Sequence, residues 1–325
     1  MKLVQPEWQW KKEQGTGVHQ WIEQNTSPEN PDVVLFTAPI SRSSISVSGA
    51  SQYPDAFRRG WKGFSVYNLD ENIDLSTLQV TDLGDVPMHT TDIIESHRRI
   101  EAAAEHISTT YSNKHICLIG GDHSVTACSI RGVQKAFPNE KIGIIQLDTH
   151  LDVRDPAELG PANGTPIRQL IEGGIVEGKH IYNIGLHGFF NAPELVQYAN
   201  AHGIHMITLR AARKQGIIQT IREVMEALNE SVDHIYVTVD MDVLDISVAP
   251  GVPASTPGGM TAYELFDALL EIGQAEKAKH IDFVCLDPTR DTLAQATVKI
   301  GVYTFLQWLT GIQLIRQRKG SNSND

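Results

Sequence analysis

Short apolar runs alternate with longer amphipathic segments along most of the chain. The short runs are nearly continuous in apolar or β-branched residues, which is typical of strands that are covered on both faces of a sheet. The pattern therefore predicts buried strands inside a layered α/β protein. The predicted strands are VVLFTAP (33–39), HICLIGG (115–121), IGIIQLD (142–148), HIYNIGL (180–186), HIYVTVD (234–240) and HIDFVCLD (280–287).

Between these runs, apolar residues recur at spacings of three and four, which predicts helices. Several of these segments carry Ser, Thr or Asn at capping positions. Strands that alternate with helices form a parallel sheet with helices on both faces. The predicted fold class is therefore three-layer α/β/α with a mostly parallel, doubly wound sheet. The predicted helices are 90–107, 124–137, 192–203, 211–231 and 261–274.

No linker rich in Pro, Gly or Ser divides the chain, so a single domain over residues 1–325 is expected. Residues 33–310 are expected to form its core and residues 1–32 an N-terminal extension. The polar C-terminal residues 316–325 are expected to be disordered.

Composition narrows the choice of partners. The 27 basic and 39 acidic residues give a net charge of -12, which argues against nucleic acid and anionic membranes because both require clustered cations. The N-terminus does not resemble a signal peptide, and the apolar runs are too short to span a bilayer, so a cytoplasmic location is expected. Cys117, Cys128 and Cys285 show no CxxC spacing and are expected to be free thiols.

Three of the predicted strands end in carboxylates and imidazoles. In open α/β sheets ligands bind beyond the carboxyl ends of the strands. A spacing of two residues places side chains on one side of an extended segment, so these groups can converge. The run 115–121 is followed by Asp122 and His123, the run 142–148 supplies Asp148, His150 and Asp152, and the run 234–240 supplies Asp240 and Asp242.

Four aspartates in one pocket need protonation or a bound cation to relieve their repulsion. Two divalent ions neutralise four carboxylates. Oxygen and imidazole ligands without thiolate suit Mn²⁺ best, with nickel, cobalt, iron and zinc as alternatives. Two such ions about 3.5 Å apart would hold a water as hydroxide, which predicts a hydrolase.

A structural alternative exists for each part of this pattern. A single DxHxD segment at a strand end serves equally well for capping and surface solvation. Its combination with GGDHS and DMDVLD favours the metal site. The remaining histidines are expected to be solvated or to lie in the core, among them His97, His106, His180, His234 and His280.

The segments GGDHS (120–124), DTHLDVR (148–154) and TVDMDVLDISVAPGVP (238–253) resemble the three signatures of the ureohydrolase family, which includes arginase, agmatinase and formimidoylglutamase. Order and strand context agree over about residues 33–310. The resemblance implies an arginase-like fold, two Mn²⁺ ions per chain, hydroxide attack on an amidine or guanidine carbon, and a homo-oligomer, either a trimer or a hexamer.

The resemblance also implies the ligand set. In the arrangement that we predict, Asp148 and Asp240 bridge the ions, His123 and Asp152 complete one site, and His150 and Asp242 complete the other. Asp152, beside the hydroxide, is the candidate catalytic residue that carries a proton to the leaving nitrogen.

The segment NGTPIRQL (163–170) has Thr165 where arginases and agmatinases carry histidine, and it resembles the GTxFR element of formimidoylglutamases. Residues 41–51 and 285–291 also resemble that subgroup most. The implied substrate is N-formimidoyl-L-glutamate, which is split into glutamate and formamide in histidine degradation.

An anionic substrate with two carboxylates needs fixed cations, and guanidinium groups bind carboxylates in bidentate fashion. Arg290 is a further cation near the predicted pocket. In the alternative interpretation, Arg154 pairs with a neighbouring aspartate and Arg168 solvates a helix face. The candidate substrate-binding residues are Arg154, Asn163, Thr165 and Arg168.

Cys285 departs from the family pattern, in which a Glu contacts the amidine or guanidine group. A charge-assisted hydrogen bond of that kind is worth about 1.5–3 kcal/mol. Either Asp287 substitutes for it, or the substrate differs. Two alternatives therefore stay open: another ureohydrolase that acts on agmatine or a guanidino compound, and a non-catalytic, metal-binding family member.

Overall fold

The computed structural model describes residues 16–322, and a nine-stranded sheet lies at its centre. Its strand order is β1-β5-β2-β6-β11-β10-β7-β8-β9, and every pairing within it is parallel. The strands are β1 (Glu23–Gln24), β2 (Val33–Thr37), β3 (Tyr67–Asn68), β4 (Ile73–Asp74), β5 (Val80–Asp85), β6 (His115–Ile119), β7 (Ile142–Leu147), β8 (Ile181–Leu186), β9 (His205–Thr208), β10 (His234–Asp240) and β11 (His280–Val284); β3 and β4 form a separate antiparallel pair.

The helices flank this sheet in two groups. One group packs α3 against α4 and α4 against α6, and the other connects α2, α11, α10, α9 and α8 by successive contacts. The predicted three-layer α/β/α class is thus confirmed. The helices are α1 (Val18–Trp21), α2 (Tyr53–Gly60), α3 (Ile93–Thr110), α4 (Ser124–Ala136), α5 (Pro156–Leu159), α6 (Pro166–Glu172), α7 (Pro193–His202), α8 (Leu209–Gln215), α9 (Ile217–Ser231), α10 (Ala262–Ile272) and α11 (Ala296–Asn322).

All six predicted strands are present, and β2 and β7 are buried at every position. Their burial follows from helices on both faces, which makes continuous apolar runs favourable. The predicted helix 211–231 is divided into α8 and α9. Gly216, between them, has a φ of +100°, a conformation that favours glycine and ends α8.

The C-terminal prediction was wrong for residues 316–322. Helix α11 continues to Asn322. Arg316 pairs with Asp32, and Lys319 pairs with Glu276, so ion pairs connect the last turns to the rest of the protein. Residues 323–325, and residues 1–15 of the expected N-terminal extension, lie outside the described part of the chain. Among the described residues, no helix combines the length and the hydropathy needed to cross a bilayer.

Candidate metal centre

The carboxyl ends of β6, β7 and β10 bring the predicted ligands together. Strands β7 and β10 are paired with Leu147 opposite Val239, so Asp148 and Asp240 follow side by side. His123 lies beyond β6, directly before α4. The turn that carries it is tight, because a Cβ on Gly121 would lie 1.7 Å from the carbonyl oxygen of Ile40. This close approach explains why the segment reads GGDH.

The first cluster of ligand atoms surrounds the His123 imidazole. Its Nδ1 lies 2.8 Å from an oxygen of Asp152, 3.1 Å from one of Asp240 and 3.4 Å from Oδ2 of Asp148. His123, Asp148 and Asp240 each offer an atom within 4.8 Å of the others. This distance range is the one that a single bound cation requires of its ligands.

The second cluster surrounds His150. Its Nδ1 lies 3.0 Å from Oδ2 of Asp242 and 3.6 Å from Oδ1 of Asp148. Asp148, His150 and Asp242 form a second group with converging ligand atoms. Asp148 belongs to both groups and directs one oxygen to each, whereas Asp240 belongs to the first group only. The two groups therefore meet at Asp148.

The electrostatics of this pocket are those of a cation site. Burial raises the pKa of Asp148, Asp152, Asp240 and Asp242, and the neighbouring carboxylates raise each of them further. Burial alone would lower the pKa of both histidines. The adjacent carboxylates overcome it, raising the pKa of His150 to about 12 and that of His123 well above its ordinary value. The cluster thus favours any bound positive charge.

A divalent ion fits the residues that are present. The Nδ1 of His123 is buried and lies within 3.4 Å of three carboxylate oxygens, so a cation bound here would meet one imidazole and three oxygens. Burial keeps the nearby Cys285 thiol protonated by raising its pKa, so the donors are oxygens and imidazoles. That donor set suits Mn²⁺ and its borderline neighbours.

Two polar residues that the sequence interpretation missed form hydrogen bonds to the candidate ligands Asp148 and His150. Gln146 donates its side-chain amide to Oδ2 of Asp148 at 2.7 Å, and Asn183 donates to the backbone oxygen of His150 at 2.6 Å. Such contacts fix the orientation of ligands. The sequence does contain one indication of this role, because Gln146 is a polar residue within the otherwise apolar run 142–148.

Two non-glycine residues at the centre have left-handed backbone conformations. Asp152 has a φ of +52° and Cys285 a φ of +66°. The backbone oxygen of Asp152 accepts a hydrogen bond from Ile167 at 3.2 Å, and the backbone nitrogen of Cys285 donates to Gly121 at 2.8 Å. Backbone strain of this kind costs about 1–3 kcal/mol per residue and persists where the surroundings enforce it.

The segment 41–49 is anchored to three loops at this end of the sheet. Its backbone nitrogens donate to carboxylates or an amide: Ser43 to Asp122 at 3.1 Å, Ile45 to Asn163 at 2.8 Å and Gly49 to Asp287 at 2.7 Å. Burial raises the pKa of Asp122 to about 6. Asp122 is therefore an anchor for this segment, a role that the sequence did not indicate.

Asp287 does not replace the charge that is missing at Cys285. One of its oxygens accepts from Thr289, and the other accepts from Gly49 and lies 3.3 Å from Nε of Arg290. The side chain is fully buried and committed to these partners. Arg290 donates to the backbone of Val47, so it too holds the segment 41–49.

Three of the four predicted substrate-binding residues have protein partners for their side chains. Arg168 pairs with Asp155 at 2.9 Å and Glu172 at 2.7 Å, whereas the structural alternative expected it to be solvated on a helix face. The Thr165 hydroxyl is buried and bonds within its own turn. Asn163 anchors Ile45 through its oxygen.

Arg154 behaves differently from Arg168. It is exposed, and within residues 16–322 it forms no ion pair with Asp152, Asp155 or any other carboxylate. Its backbone nitrogen donates to Gly164 at 2.9 Å, and its side chain lies along that glycine. The guanidinium is therefore held at the edge of the 163–165 turn without a protein counter-charge.

Known proteins are similar to this chain over most of its length. The profile of the arginase family matches residues 31–310. The formimidoylglutamase of Halalkalibacterium halodurans is 40% identical over 279 residues, which cover 85% of this chain and 86% of that protein. The formimidoylglutamase of Bacillus subtilis is 35% identical over 280 residues, or 86% of this chain and 87% of that protein.

Solved structures extend the agreement to the fold. The crystal structure of formimidoylglutamase from Bacillus subtilis matches with a TM-score of 0.90 and 33% identity, covering 96% of each chain. Trypanosoma cruzi formiminoglutamase with Mn²⁺ matches with a TM-score of 0.83 and 26% identity, covering 92% of this chain and 99% of that chain. The arginase-like α/β fold is thereby confirmed, and the chain belongs to the arginase family.

Proposed function

We propose that this protein is a formimidoylglutamase, which hydrolyses the formimidoyl C–N bond of N-formimidoyl-L-glutamate and releases L-glutamate and formamide. One combined observation carries the proposal: two ligand groups that share Asp148 occur in a chain whose 40% and 35% identical relatives are formimidoylglutamases. The reaction belongs to histidine degradation.

We assign two Mn²⁺ ions per chain to the overlapping groups. His123 and Asp152 would hold one ion, His150 and Asp242 would hold the other, and Asp148, which belongs to both groups, would serve both. Asp240 completes the first group, and its role as a second bridge rests on the family resemblance. The Mn²⁺ in the Trypanosoma cruzi structure supports this choice of metal.

When bound, the metal pair supplies an activated water and polarises the bond under attack. Within the chain, we assign proton transfer to Asp152. Its side chain is 11% exposed, whereas those of Asp148, Asp240 and Asp242 are 4% exposed or less. It is therefore the carboxylate of the group most open to a substrate, and it can hold a proton and deliver it to the leaving nitrogen.

Arg154 is our candidate for binding a substrate carboxylate. A guanidinium without a protein counter-charge is available for bidentate binding. The side-chain amide nitrogen of Asn163 is a second candidate, next to Arg154 across Gly164. Arg168 and Thr165 are left out of this proposal because their polar groups already have protein partners.

A substrate panel tests the reaction. The protein is loaded with Mn²⁺ and offered formimidoylglutamate, agmatine and guanidino acids, with release of formamide and urea measured separately. Formamide from formimidoylglutamate is expected. Urea release from a guanidino compound with higher kcat/KM would replace the proposal with another ureohydrolase activity, and no turnover on any compound would favour a non-catalytic metal-binding protein.

The same panel tests the departure at Cys285. A Cys285→Glu variant restores the family's charge beside Asp240, and Cys285→Ala is the matched control without it. The native preference is expected to remain with formimidoylglutamate in both variants. A switch toward guanidino compounds in Cys285→Glu alone would mean that the native substrate is not formimidoylglutamate.

Arg154→Ala tests the carboxylate contact. The variant is expected to lose about 10–100-fold in kcat/KM for formimidoylglutamate, the equivalent of one charge-assisted hydrogen bond of about 1.5–3 kcal/mol. Arg168→Ala is the matched control, since its guanidinium is engaged with Asp155 and Glu172. Equal losses in both variants would remove Arg154 from the substrate site.

We further propose a cytoplasmic homo-oligomer, a trimer or hexamer, on the family resemblance. Analytical ultracentrifugation of the purified protein measures the assembly directly, and a monomer at micromolar concentration would contradict it.

A further inference from the structure

The edge of the His123 ring that faces away from the carboxylates contacts a buried chain of hydroxyl groups. Nε2 lies 2.9 Å from Oγ1 of Thr238, which lies 3.3 Å from Oγ1 of Thr126. The Thr126 hydroxyl donates to Oδ2 of Asp282 at 2.8 Å. His123, Thr126, Thr238 and Asp282 are each fully buried. These hydrogen-bonded side chains therefore connect the candidate metal ligand to a carboxylate on β11 without contact with solvent.

The direction of these hydrogen bonds is fixed by counting protons. A hydroxyl has one hydrogen to donate, and a carboxylate has none. Thr126 donates its hydrogen to Asp282, so toward Thr238 it can only accept. Thr238 then donates to Thr126, and toward His123 it can only accept. Nε2 of His123 must therefore carry a hydrogen, so Nδ1, which faces Asp148, Asp152 and Asp240, is the nitrogen that is left for a bound cation.

A buried carboxylate at position 282 lowers the stability of the folded protein unless its charge is compensated. Asp282 has no cationic partner within hydrogen-bond distance in the described chain, and its Oδ1 makes no hydrogen bond. Burial raises its pKa, while the nearby His123 ring and hydrogen bonds from Thr126 and Tyr236 favour the charged form. An apolar side chain in a central strand would be as stable or more so. Stability alone therefore does not account for a carboxylate here.

We propose that Asp282, acting through Thr126 and Thr238, is a positioning residue that holds His123 in the tautomer required for metal binding. This inference rests on the proposed metal centre and adds residues that do not touch substrate or metal. A backing carboxylate is a known means of orienting an imidazole ligand, and removing one typically costs 10–100-fold in metal affinity. In this protein two threonine hydroxyls connect the carboxylate to the ring.

Thr238→Val interrupts the series of hydrogen bonds between His123 and Asp282, because valine has the shape of threonine but no hydroxyl. The first Mn²⁺ is expected to bind about 10–100-fold more weakly, since Nε2 loses its acceptor and the ring loses its preferred tautomer. Thr238→Ser keeps the hydroxyl and is expected to restore the affinity. Mn²⁺ binding is measured by calorimetry, and electron paramagnetic resonance of the bound ion reports its ligand geometry.

Tyr236→Phe is the matched control. Tyr236 donates to the same oxygen of Asp282 at 2.8 Å but is not part of the chain to His123. Both Tyr236→Phe and Thr238→Val are expected to lower the melting temperature, because each removes a buried hydrogen bond. Only Thr238→Val, and Asp282→Asn with it, is expected to change the Mn²⁺ affinity and the resonance spectrum.

Unchanged Mn²⁺ affinity in Thr238→Val, or an equal loss in Tyr236→Phe, would show that the buried polar cluster serves stability only and would overturn the inference. These measurements need no substrate. Normal metal binding with no formamide release in the unaltered protein would therefore reject the proposed reaction while leaving the role of Asp282 testable. Failure of the unaltered protein to bind Mn²⁺ would reject both.

Discussion

Histidines lie at both ends of the central sheet, before the amino ends and beyond the carboxyl ends of its strands, and their chemistry differs. At the amino ends, His115 begins β6 and His280 begins β11. Burial lowers the pKa of His115 to about 4 and that of His280 to about 3. At the carboxyl ends, carboxylates overcome burial and raise the pKa of His123 and His150. Residue type and burial are similar, and the neighbours decide the outcome.

The partners of His115 and His280 are rings and hydroxyls. The His115 ring packs on Trp308 with centroids 5.9 Å apart, and Nε2 of His280 lies 3.2 Å from Oγ of Ser108. These groups accommodate a neutral imidazole and offer nothing to a cation. The comparison teaches that a metal-type histidine is recognised by the carboxylates that converge on it, and in a parallel sheet those follow the carboxyl ends.

The largest expected effect comes from Asp148, the residue that both ligand groups share. Asp148→Asn removes the shared charge, and kcat/KM is expected to fall at least about a thousandfold, because a metal pair supplies several kcal/mol of transition-state stabilisation. Stabilisation by added Mn²⁺, about 4 kcal/mol when the ion is a thousandfold above its Kd, is expected to disappear as well. Steady-state kinetics and denaturant unfolding with and without Mn²⁺ measure these two changes.

The matched control is Glu140→Gln, which removes a carboxylate from the amino ends, where Glu140 pairs with His234. It is expected to keep full activity and full stabilisation by Mn²⁺. If Asp148→Asn retained both metal content and rate, or if Glu140→Gln lost them, the contrast between the two ends would be incorrect.

An intermediate effect on stability is expected when the pH is lowered and the histidines at the amino ends of the strands become protonated. His115 is neutral when folded and has a pKa of about 4, against 6.5 in the unfolded chain. Between these values the unfolded chain binds more protons, so the free energy of unfolding falls as the pH falls from about 6.5 to 4. At pH 5 this one histidine is expected to cost about 1–2 kcal/mol relative to pH 7.

His115→Phe removes the titrating group and keeps a ring to pack against Trp308. Urea unfolding at pH 7 and pH 5 is compared for both proteins in chelator, so that metal release does not contribute. Between pH 7 and pH 5, the free energy of unfolding is expected to fall by about 1–2 kcal/mol less in the variant than in the unaltered protein. Equal pH dependence in both proteins would show that His115 is already protonated, or solvated, in the folded state.

The sequence predicted the central strands because an uninterrupted apolar run in an α/β chain has few alternatives. It missed β1 and β9 at the edges of the sheet, and β5 next to β1, because they are short or polar; β5 reads VTDLGD, with Gly84 at a φ of +94°. The disordered tail was predicted from local polarity, whereas Arg316 and Lys319 find acidic partners that are distant in sequence. Tertiary contacts decided those cases.

In the candidate site, the motif residues were found because their spacing after strand ends is a local property. The structure brings all six predicted ligands together. The partners of Arg168 and Thr165 were beyond prediction because they depend on how the loop between α5 and α6 folds. The same is true of Asp282, whose neighbours come from α4 and β10.

The smallest expected effect comes from Ser108→Ala at the amino ends. It removes the buried hydroxyl beside Nε2 of His280 and is expected to cost about 1 kcal/mol of stability. Mn²⁺ affinity and kcat/KM are expected to be unchanged, since β11 lies between this contact and the metal centre. A loss of metal affinity larger than the loss of stability would mean that strand β11 transmits changes between its ends. The two groups of histidines would then form one coupled system, and the neighbours at one end would no longer suffice to explain the chemistry there.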